Sequence, residues 1–183
     1  MKKKFYTYDD VHDAATNIAL KMYKDAWRPD YVVGVTRGGL PLALRISHLL
    51  GCRMETLKVA LRDGGDSECE INCWMADDAF GYVEGHDYKN SEVFNKKNIL
   101  VVDDINDTGA TFNWIKKDWQ SSCLPSNPNW DTVWGGNVRF AVMTENLSSE
   151  FSEVNYTWHE VNKAEDDVWL VYPWEIDNKG ENT

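Results

Sequence analysis

Residues 98–112, NILVVDDINDTGATF, constrain the fold of this chain more than any other segment. The apolar run at 99–102 is typical of a strand buried inside a parallel sheet. It leads directly into Asp103 and Asp104, whose adjacent carboxylates repel each other at a strand end. A turn of small, hydroxyl-bearing residues and a helical segment at 111–120 follow. We therefore expect a buried strand, then a loop whose residues serve binding rather than stability, and then a helix.

The same order of elements precedes this segment. A helix is predicted at 8–27, with Thr7 or Asp9 as its cap. Its apolar residues follow the helical repeat along one face: Val11, Ala14, Ala15, Ile18 and Met22. A short apolar strand at 31–35 comes next, and the loop TRGG follows that strand.

The remaining pattern extends this alternation. A second helix at 40–50 ends at Gly51. Further strands are predicted at 53–62, 137–144, 153–161 and 168–176. Alternating strands and helices predict an α/β fold with a central, mainly parallel sheet flanked by helices. No repeat or linker divides the sequence, so residues 1–183 are assigned to a single domain.

Residues 63–97 interrupt the alternation. This segment is polar, acidic and glycine-bearing, with aromatic residues set into it: Trp74, Phe80, Tyr82 and Phe94. A long irregular segment inside a compact domain is usually a functional lid or disordered. The aromatic residues favour a lid or small hood over disorder.

The acidic composition limits the partners of the protein. The chain carries 19 Lys and Arg against 30 Asp and Glu, a formal net charge of -11, which argues against binding to nucleic acid or an anionic membrane. No apolar run is long enough to span a bilayer, and the basic start lacks the apolar stretch of a signal peptide. We therefore expect a cytoplasmic protein.

The four cysteines are interpreted as free thiols, with a metal shared by Cys69 and Cys73 as the alternative.

The turn after the two aspartates has the composition of a phosphate site. In open α/β sheets, ligands bind beyond the carboxyl ends of the strands, where loop N–H groups and the next helix N-terminus attract anions. Gly109 permits a tight turn, and the hydroxyls of Thr108 and Thr111 add donors. Asp103 and Asp104 can accept hydrogen bonds from ribose hydroxyls or hold Mg²⁺. The predicted ligand is a phosphorylated sugar; the alternative is an acidic strand end followed by an ordinary helix cap.

The loop TRGG at 36–39 offers a second place for an anion. Its two glycines let the backbone approach an anion closely, and Arg37 can bond phosphate oxygens. A pair of glycines is also common in ordinary turns. The position of this loop after a buried strand, opposite the acidic loop, favours binding.

The segment ILVVDDINDTGAT resembles the phosphoribosyl-diphosphate (PRPP) signature of type I phosphoribosyltransferases. That signature is an apolar strand, two acidic residues, two variable residues, DTG and a threonine two places further on. The late segment VWLVYPWE resembles the carboxyl-terminal part of xanthine–guanine phosphoribosyltransferases and their archaeal-type relatives. The resemblance implies the type I phosphoribosyltransferase fold, and transfer of the 5-phosphoribosyl group from PRPP to a nucleobase, expected to be a purine, with Mg²⁺ as cofactor.

The resemblance also implies residue roles. The 5-phosphate is assigned to the signature loop: Asp107, Thr108, Gly109, Ala110 and Thr111. Asp103 and Asp104 take the ribose hydroxyls, directly or through Mg²⁺, and the pyrophosphate is assigned to Thr36, Arg37, Gly38 and Gly39. Asp107 is the expected general base near purine N7. Trp169 is expected to stack on the base, and the backbone near Leu170 to contact its edge, with residues 144–183 completing the base side. The Thr36–Arg37 peptide bond is expected to be cis, as it often is in this family.

One departure from the family leaves the base open. Purine-specific members carry a lysine after the fourth strand that bonds the 6-oxo group, whereas this chain has no lysine there. Thr144, Glu145 or Asn146 takes the place. An amide such as Asn146 can donate to an oxygen or accept from an amine.

The expected reaction needs water to be excluded, which a closing lid achieves. Residues 63–97 are the candidate lid, with Lys89 or Arg62 as the cation that would contact the pyrophosphate.

The alternative function is a PRPP- or nucleotide-binding regulatory protein on the same fold. Retention of Asp107 favours the enzyme. A nucleotide-binding or methyltransferase fold of the dinucleotide type is disfavoured because GVTRGGLP lacks the GxGxxG turn. The oligomeric state stays open, with a homodimer among the options.

Overall fold

The computed structural model describes residues 2–61, 68–89, 93 and 95–175. Its strands and helices, in chain order, are β1 (Lys2–Phe5), α1 (Tyr8–Lys24), β2 (Tyr31–Thr36), α2 (Leu40–Leu50), β3 (Arg53–Lys58), α3 (Cys73–Phe80), β4 (Ile99–Asn106), α4 (Ala110–Ser122), β5 (Val138–Asn146), β6 (Tyr156–Val161) and β7 (Val168–Val171). Five strands form one sheet in the order β3-β2-β4-β5-β6, and every neighbouring pair is parallel. The predicted α/β fold with a parallel sheet is confirmed.

Helices cover both faces of this sheet. Helices α1 and α2 pack on the face that carries Val32 and Leu100. Helices α3 and α4 pack on the other face, which carries Val33 and Val101. Because successive side chains of a strand point to opposite faces, the continuous apolar runs of β2 and β4 supply both cores.

The first two helices follow the sequence prediction closely. The five residues predicted for the apolar face of α1 are all buried. Thr7 caps this helix: its hydroxyl accepts from the Asp10 N–H, and the Asp10 carboxylate accepts from the Thr7 N–H. Helix α2 ends at Gly51, which adopts a left-handed conformation with φ of 62°.

Several strand boundaries differ from the prediction. Strand β3 ends at Lys58 rather than at residue 62, and β5 continues to Asn146. Strand β1 was not predicted at all. It pairs in parallel with β7 to form a separate two-stranded sheet, with Lys3 opposite Trp169.

The lid interpretation of residues 63–97 is wrong for Cys73–Phe80. This stretch forms α3, which begins at the capping residue Asn72 and ends at Gly81. Four of its side chains are buried against the sheet and α4: Met75, Ala76, Ala79 and Phe80. Helix α3 is therefore part of the core. A lid role for the rest of the segment stays a prediction, and residues 62–67 with Arg62 lie outside the described part of the chain.

Within the described ranges, no helix has the length and apolar character needed to cross a membrane.

Candidate active site

The turn between β4 and α4 is held tightly by a neighbouring segment. Gly109 has a φ of 90°, and a Cβ there would lie 2.5 Å from the nitrogen of Phe151. The Glu150 N–H donates to the Thr108 carbonyl at 3.1 Å. Only glycine accepts both this backbone conformation and this close approach. One side of the turn is thus packed against the segment that carries Glu150 and Phe151, and its other side borders a pocket.

That pocket suits a phosphate. It has a volume of about 470 Å³ and is lined by Asp107, Thr108 and Ala110 on one side and by residues of two further loops on the other. Gly109 provides no side-chain cap for α4. Free N–H groups at a helix start, together with the partial positive charge there, attract anions. The Ala110 N–H donates to the Thr108 hydroxyl at 3.3 Å, and Glu150 also lines the pocket, so the 5-phosphate site at residues 107–111 stays a prediction.

The two aspartates of β4 lie next to this loop. The Asp103 carboxylate accepts from the Asp104 N–H at 2.9 Å, and the Asp104 carboxylate accepts from the Ile105 N–H at 2.8 Å. Burial raises the pKa of Asp104 to about 6, and the nearby Glu175 adds to the rise, while bonds with Asp103 and Ile105 act against it. A cation or hydroxyl donor placed here would favour the charged form of Asp104.

The pair fits Mg²⁺ only together with a ligand. In the described part of the chain, no group of three or more His, Cys, Asp or Glu side chains could enclose a metal ion. Mg²⁺ is commonly held by one or two carboxylates together with phosphate oxygens of the substrate. Asp103 and Asp104 match that donor set.

The loop TRGG lies directly against the acidic strand end. Strand β2 pairs with β4, so the loops that follow them leave the sheet at the same edge. A Cβ on Gly38 would lie 2.1 Å from Oδ2 of Asp104, and a Cβ on Gly39 would lie 2.4 Å from the carbonyl oxygen of Val102. These glycines are required by close contact. The Thr36–Arg37 peptide bond is cis, which confirms the prediction.

The predicted base side consists of β7 and the turn after it. Trp169 is 48% exposed, whereas its strand neighbours Val168 and Leu170 are buried in the core. The alternative of core packing for Trp169 is therefore wrong, and its ring is open to a ligand. Beyond the strand, the Tyr172 hydroxyl donates to the Asp104 carbonyl at 3.3 Å. This hydrogen bond connects the turn after β7 to the end of β4.

Of the two further residues predicted for the base site, Asn146 differs from the prediction, whereas Leu170 is compatible with it. The Leu170 side chain is buried, which leaves only its backbone for a contact with a base edge. The Asn146 amide donates to the Asp107 carbonyl at 2.9 Å and accepts from the Lys163 N–H at 3.0 Å. A direct contact of Asn146 with a base is not supported, because both ends of its amide already bond protein groups.

Sequence analysis missed Lys163. Its ammonium lies 2.9 Å from Oδ1 of Asp107, and it lines the phosphate pocket. The residue follows β6, so it reaches the site from a different loop than the one in which the family lysine was sought. Nothing in the local sequence VNKAEDD distinguishes it from a surface lysine; only the pairing of β5 with β6 brings it to Asp107.

The site and fold together define an α/β protein in which two glycine-bearing loops flank an acidic strand end. A sequence model of the family described as "Phosphoribosyl transferase domain" matches residues 7–169, and the chain belongs to this family.

Relatives of known type are similar to the chain over nearly its whole length. A hypoxanthine-guanine phosphoribosyltransferase of Schizosaccharomyces pombe is 22% identical, over 93% of this chain and 88% of that protein. The purine phosphoribosyltransferase of Pyrococcus horikoshii has a TM-score of 0.63 at 22% identity, with 95% of both chains covered. The xanthine-guanine-hypoxanthine phosphoribosyltransferase of Helicobacter pylori has a TM-score of 0.63 at 18% identity, covering 97% and 96%. The predicted family and fold are confirmed.

Proposed function

We propose that this protein transfers the 5-phosphoribosyl group of PRPP to a purine base and releases pyrophosphate, as in nucleotide salvage. The observation that carries this proposal is the contact between Gly38 and Asp104, where even a single added carbon would collide. It joins the loop proposed for pyrophosphate to the carboxylates proposed for the ribose. The two parts of one PRPP molecule would therefore be held side by side.

Each proposed role follows from the chemistry of the residues. The N–H groups of residues 108–111 bind the 5-phosphate, and Asp103 and Asp104 accept hydrogen bonds from the ribose hydroxyls. Arg37 and the N–H groups of its loop hold the pyrophosphate as the bond to C1 breaks. Mg²⁺, when bound with PRPP, would neutralise charge on the leaving pyrophosphate.

The nucleobase is placed by residues on the opposite side of C1. Trp169 stacks on the purine, and Asp107 takes the proton from N7 as the base nitrogen attacks C1. The C6 substituent lies beside N7 on the same edge of a purine. An ammonium next to Asp107 would therefore face that substituent, and Lys163 is such a group. Because an ammonium only donates hydrogen bonds, Lys163 favours a 6-oxopurine over a 6-aminopurine.

A panel of nucleobases with PRPP and Mg²⁺, scored for released pyrophosphate, tests the proposal. We expect turnover with hypoxanthine, guanine or xanthine, and a kcat/KM for adenine at least about tenfold lower, since one hydrogen-bonding mismatch costs about 1–3 kcal/mol. Turnover with pyrimidines alone would contradict the purine assignment. Tight binding of PRPP without pyrophosphate release from any base would indicate the regulatory alternative.

Replacing Trp169 by alanine tests where the base sits. Stacking on an aromatic side chain is worth about 1–3 kcal/mol per base, so we expect the KM for the base to rise by about one to two decades. The PRPP affinity should stay nearly unchanged, because the ring lies on β7 rather than on a PRPP loop. Steady-state kinetics with each substrate varied in turn measure both. Trp74, which is also partly exposed but lies on α3, provides the matched Trp→Ala control. An equal effect of Trp169→Ala on both substrates would place the base elsewhere.

A further inference from the structure

Asn146 occupies an unusual place in this site. It is the last residue of β5, its side chain is only 6% exposed, and its amide connects the loop of the general base to the loop that carries Lys163. On one side its Nδ2 lies 2.9 Å from the carbonyl oxygen of Asp107 and 3.3 Å from Oδ1 of the same residue. On the other side its Oδ1 accepts from the Lys163 N–H at 3.0 Å and from the Ser148 hydroxyl at 2.9 Å.

These bonds bear directly on the groups that would meet a base. Oδ1 of Asp107 faces two donors, the Asn146 amide and the Lys163 ammonium, at 3.3 and 2.9 Å. With Oδ1 held by these donors, Oδ2 is the oxygen best placed to take a proton. The backbone of Lys163 is fixed by the same amide, so the origin of the lysine side chain is set as well. One buried side chain thus holds a carboxylate and the backbone from which the Lys163 ammonium extends.

We infer that Asn146 is a positioning residue for the reaction, which orients Asp107 for proton transfer and, by placing the backbone of Lys163, sets the choice of the C6 substituent. This inference rests on the proposed function. The purine edge offers N7 and the C6 substituent at a fixed spacing, so the two protein groups must match it. A displacement of about 1 Å at a reacting group can cost about a hundredfold in rate.

Two substitutions separate the two halves of the amide. Asn146→Leu is close in size and removes both the donor and the acceptor. Asn146→Asp keeps an acceptor for the Lys163 N–H but replaces the donor, which lies 3.3 Å from Oδ1 of Asp107, by a carboxylate oxygen that repels Asp107. We expect Asn146→Leu to lower kcat by about tenfold to a hundredfold and to reduce the preference for hypoxanthine over adenine by about tenfold, with the KM for PRPP within about threefold of the wild-type value. Asn146→Asp should lower kcat similarly and keep the preference within about threefold.

A second asparagine provides a structural control. Asn137 immediately precedes β5, at the opposite end of that strand, and its Nδ2 donates to the carbonyls of Ala79 and Lys97 at 2.9 Å each. Asn137→Leu therefore removes comparable hydrogen bonds far from Asp107. We expect it to lower thermal stability while leaving kcat and base preference unchanged. A loss of preference in Asn137→Leu equal to that in Asn146→Leu would overturn the positioning role.

A double substitution tests whether the effect passes through the lysine. If Asn146 acts on preference by placing Lys163, then Asn146→Leu should change the hypoxanthine-to-adenine ratio by less than about twofold in a Lys163→Met background. Additive effects of the two substitutions would contradict the inference. Failure of the proposed function gives a different result, because the wild-type protein would then release no pyrophosphate with any base. An active wild type whose Asn146→Leu variant keeps its rate and preference would refute the inference alone.

Discussion

Replacing Asp107 by asparagine is expected to lower kcat by about 10²–10⁴, the usual range for loss of a general base. The asparagine keeps an oxygen that can accept from Asn146 and Lys163, which bond Oδ1 of the aspartate. The loop should therefore keep its conformation, and PRPP should bind with nearly unchanged affinity. Pyrophosphate release under saturating substrates measures the rate, and calorimetry with Mg²⁺ and PRPP measures the affinity.

A matched control is available on the connection between α4 and β5. Asp131 is exposed in the short helical turn Pro128–Thr132, and Asp131→Asn changes the net charge by the same amount without touching the site. This variant should keep its full rate. If Asp107→Asn retains more than about a tenth of the wild-type kcat, Asp107 is not the general base.

Replacing Gly38 by alanine is expected to weaken PRPP binding by about tenfold to a hundredfold. The new Cβ would lie 2.1 Å from Oδ2 of Asp104, well inside any contact that real atoms make, so the carboxylate must move away. The proposed ribose contact would then be lost, and hydrogen bonds to a charged group are worth about 1.5–3 kcal/mol, which corresponds to about tenfold to a hundredfold in affinity. Calorimetry with Mg²⁺ and PRPP measures the loss directly.

Gly51 separates this effect from a general effect of glycine substitution. It has a φ of 62°, and no heavy atom lies within 4 Å of an added Cβ. Gly51→Ala therefore costs about 1–2 kcal/mol of stability through backbone strain and leaves the site intact. Unchanged PRPP affinity in Gly38→Ala would show that Asp104 does not contact the ribose.

The parts of the fold that were predictable from sequence are those with local signals. The apolar runs of β2 and β4 and the apolar face of α1 have patterns that a single segment reveals on its own. The signature loop predicted a binding site where the structure has a pocket, because its aspartate, threonines and glycine lie within five consecutive residues. The glycines of TRGG were predicted to let an anionic ligand approach, whereas the close contacts in the structure are with protein groups, Asp104 at Gly38 and the Val102 carbonyl at Gly39.

The elements that were missed lack such local signals or have them masked. Strand β1 is KKKF, with three lysines and no apolar alternation, and its partner residues lie at 168–171. Helix α3 has a capping Asn72, a terminal Gly81 and apolar residues at helical spacing, but acidic and glycine-rich neighbours hide it. Its pattern could have been found by examining residues 72–81 alone.

The relation of Lys163 to Asp107 could not be predicted from sequence at all. The two residues are brought together by the pairing of β5 with β6 and by the bonds of Asn146, which is a tertiary effect. Neither the composition nor the spacing of residues in the sequence indicates that Lys163 and Asp107 come into contact. For the same reason, sequence analysis treated Asn146 as a base contact, whereas the structure shows its amide bonded within the protein.

The pairing of β1 with β7 has a consequence for the order of folding. All five strands of the main sheet lie between residues 31 and 161, so the phosphate pocket and the acidic strand end can form from chain segments that are near one another. The second sheet must bring residue 2 against residue 168, and closing so long a loop carries the larger entropic cost. We therefore expect the main sheet, with the loops proposed to hold the sugar phosphate, to assemble first. The two-stranded sheet of β1 and β7, which carries Trp169, would then pack onto a main sheet that has already formed.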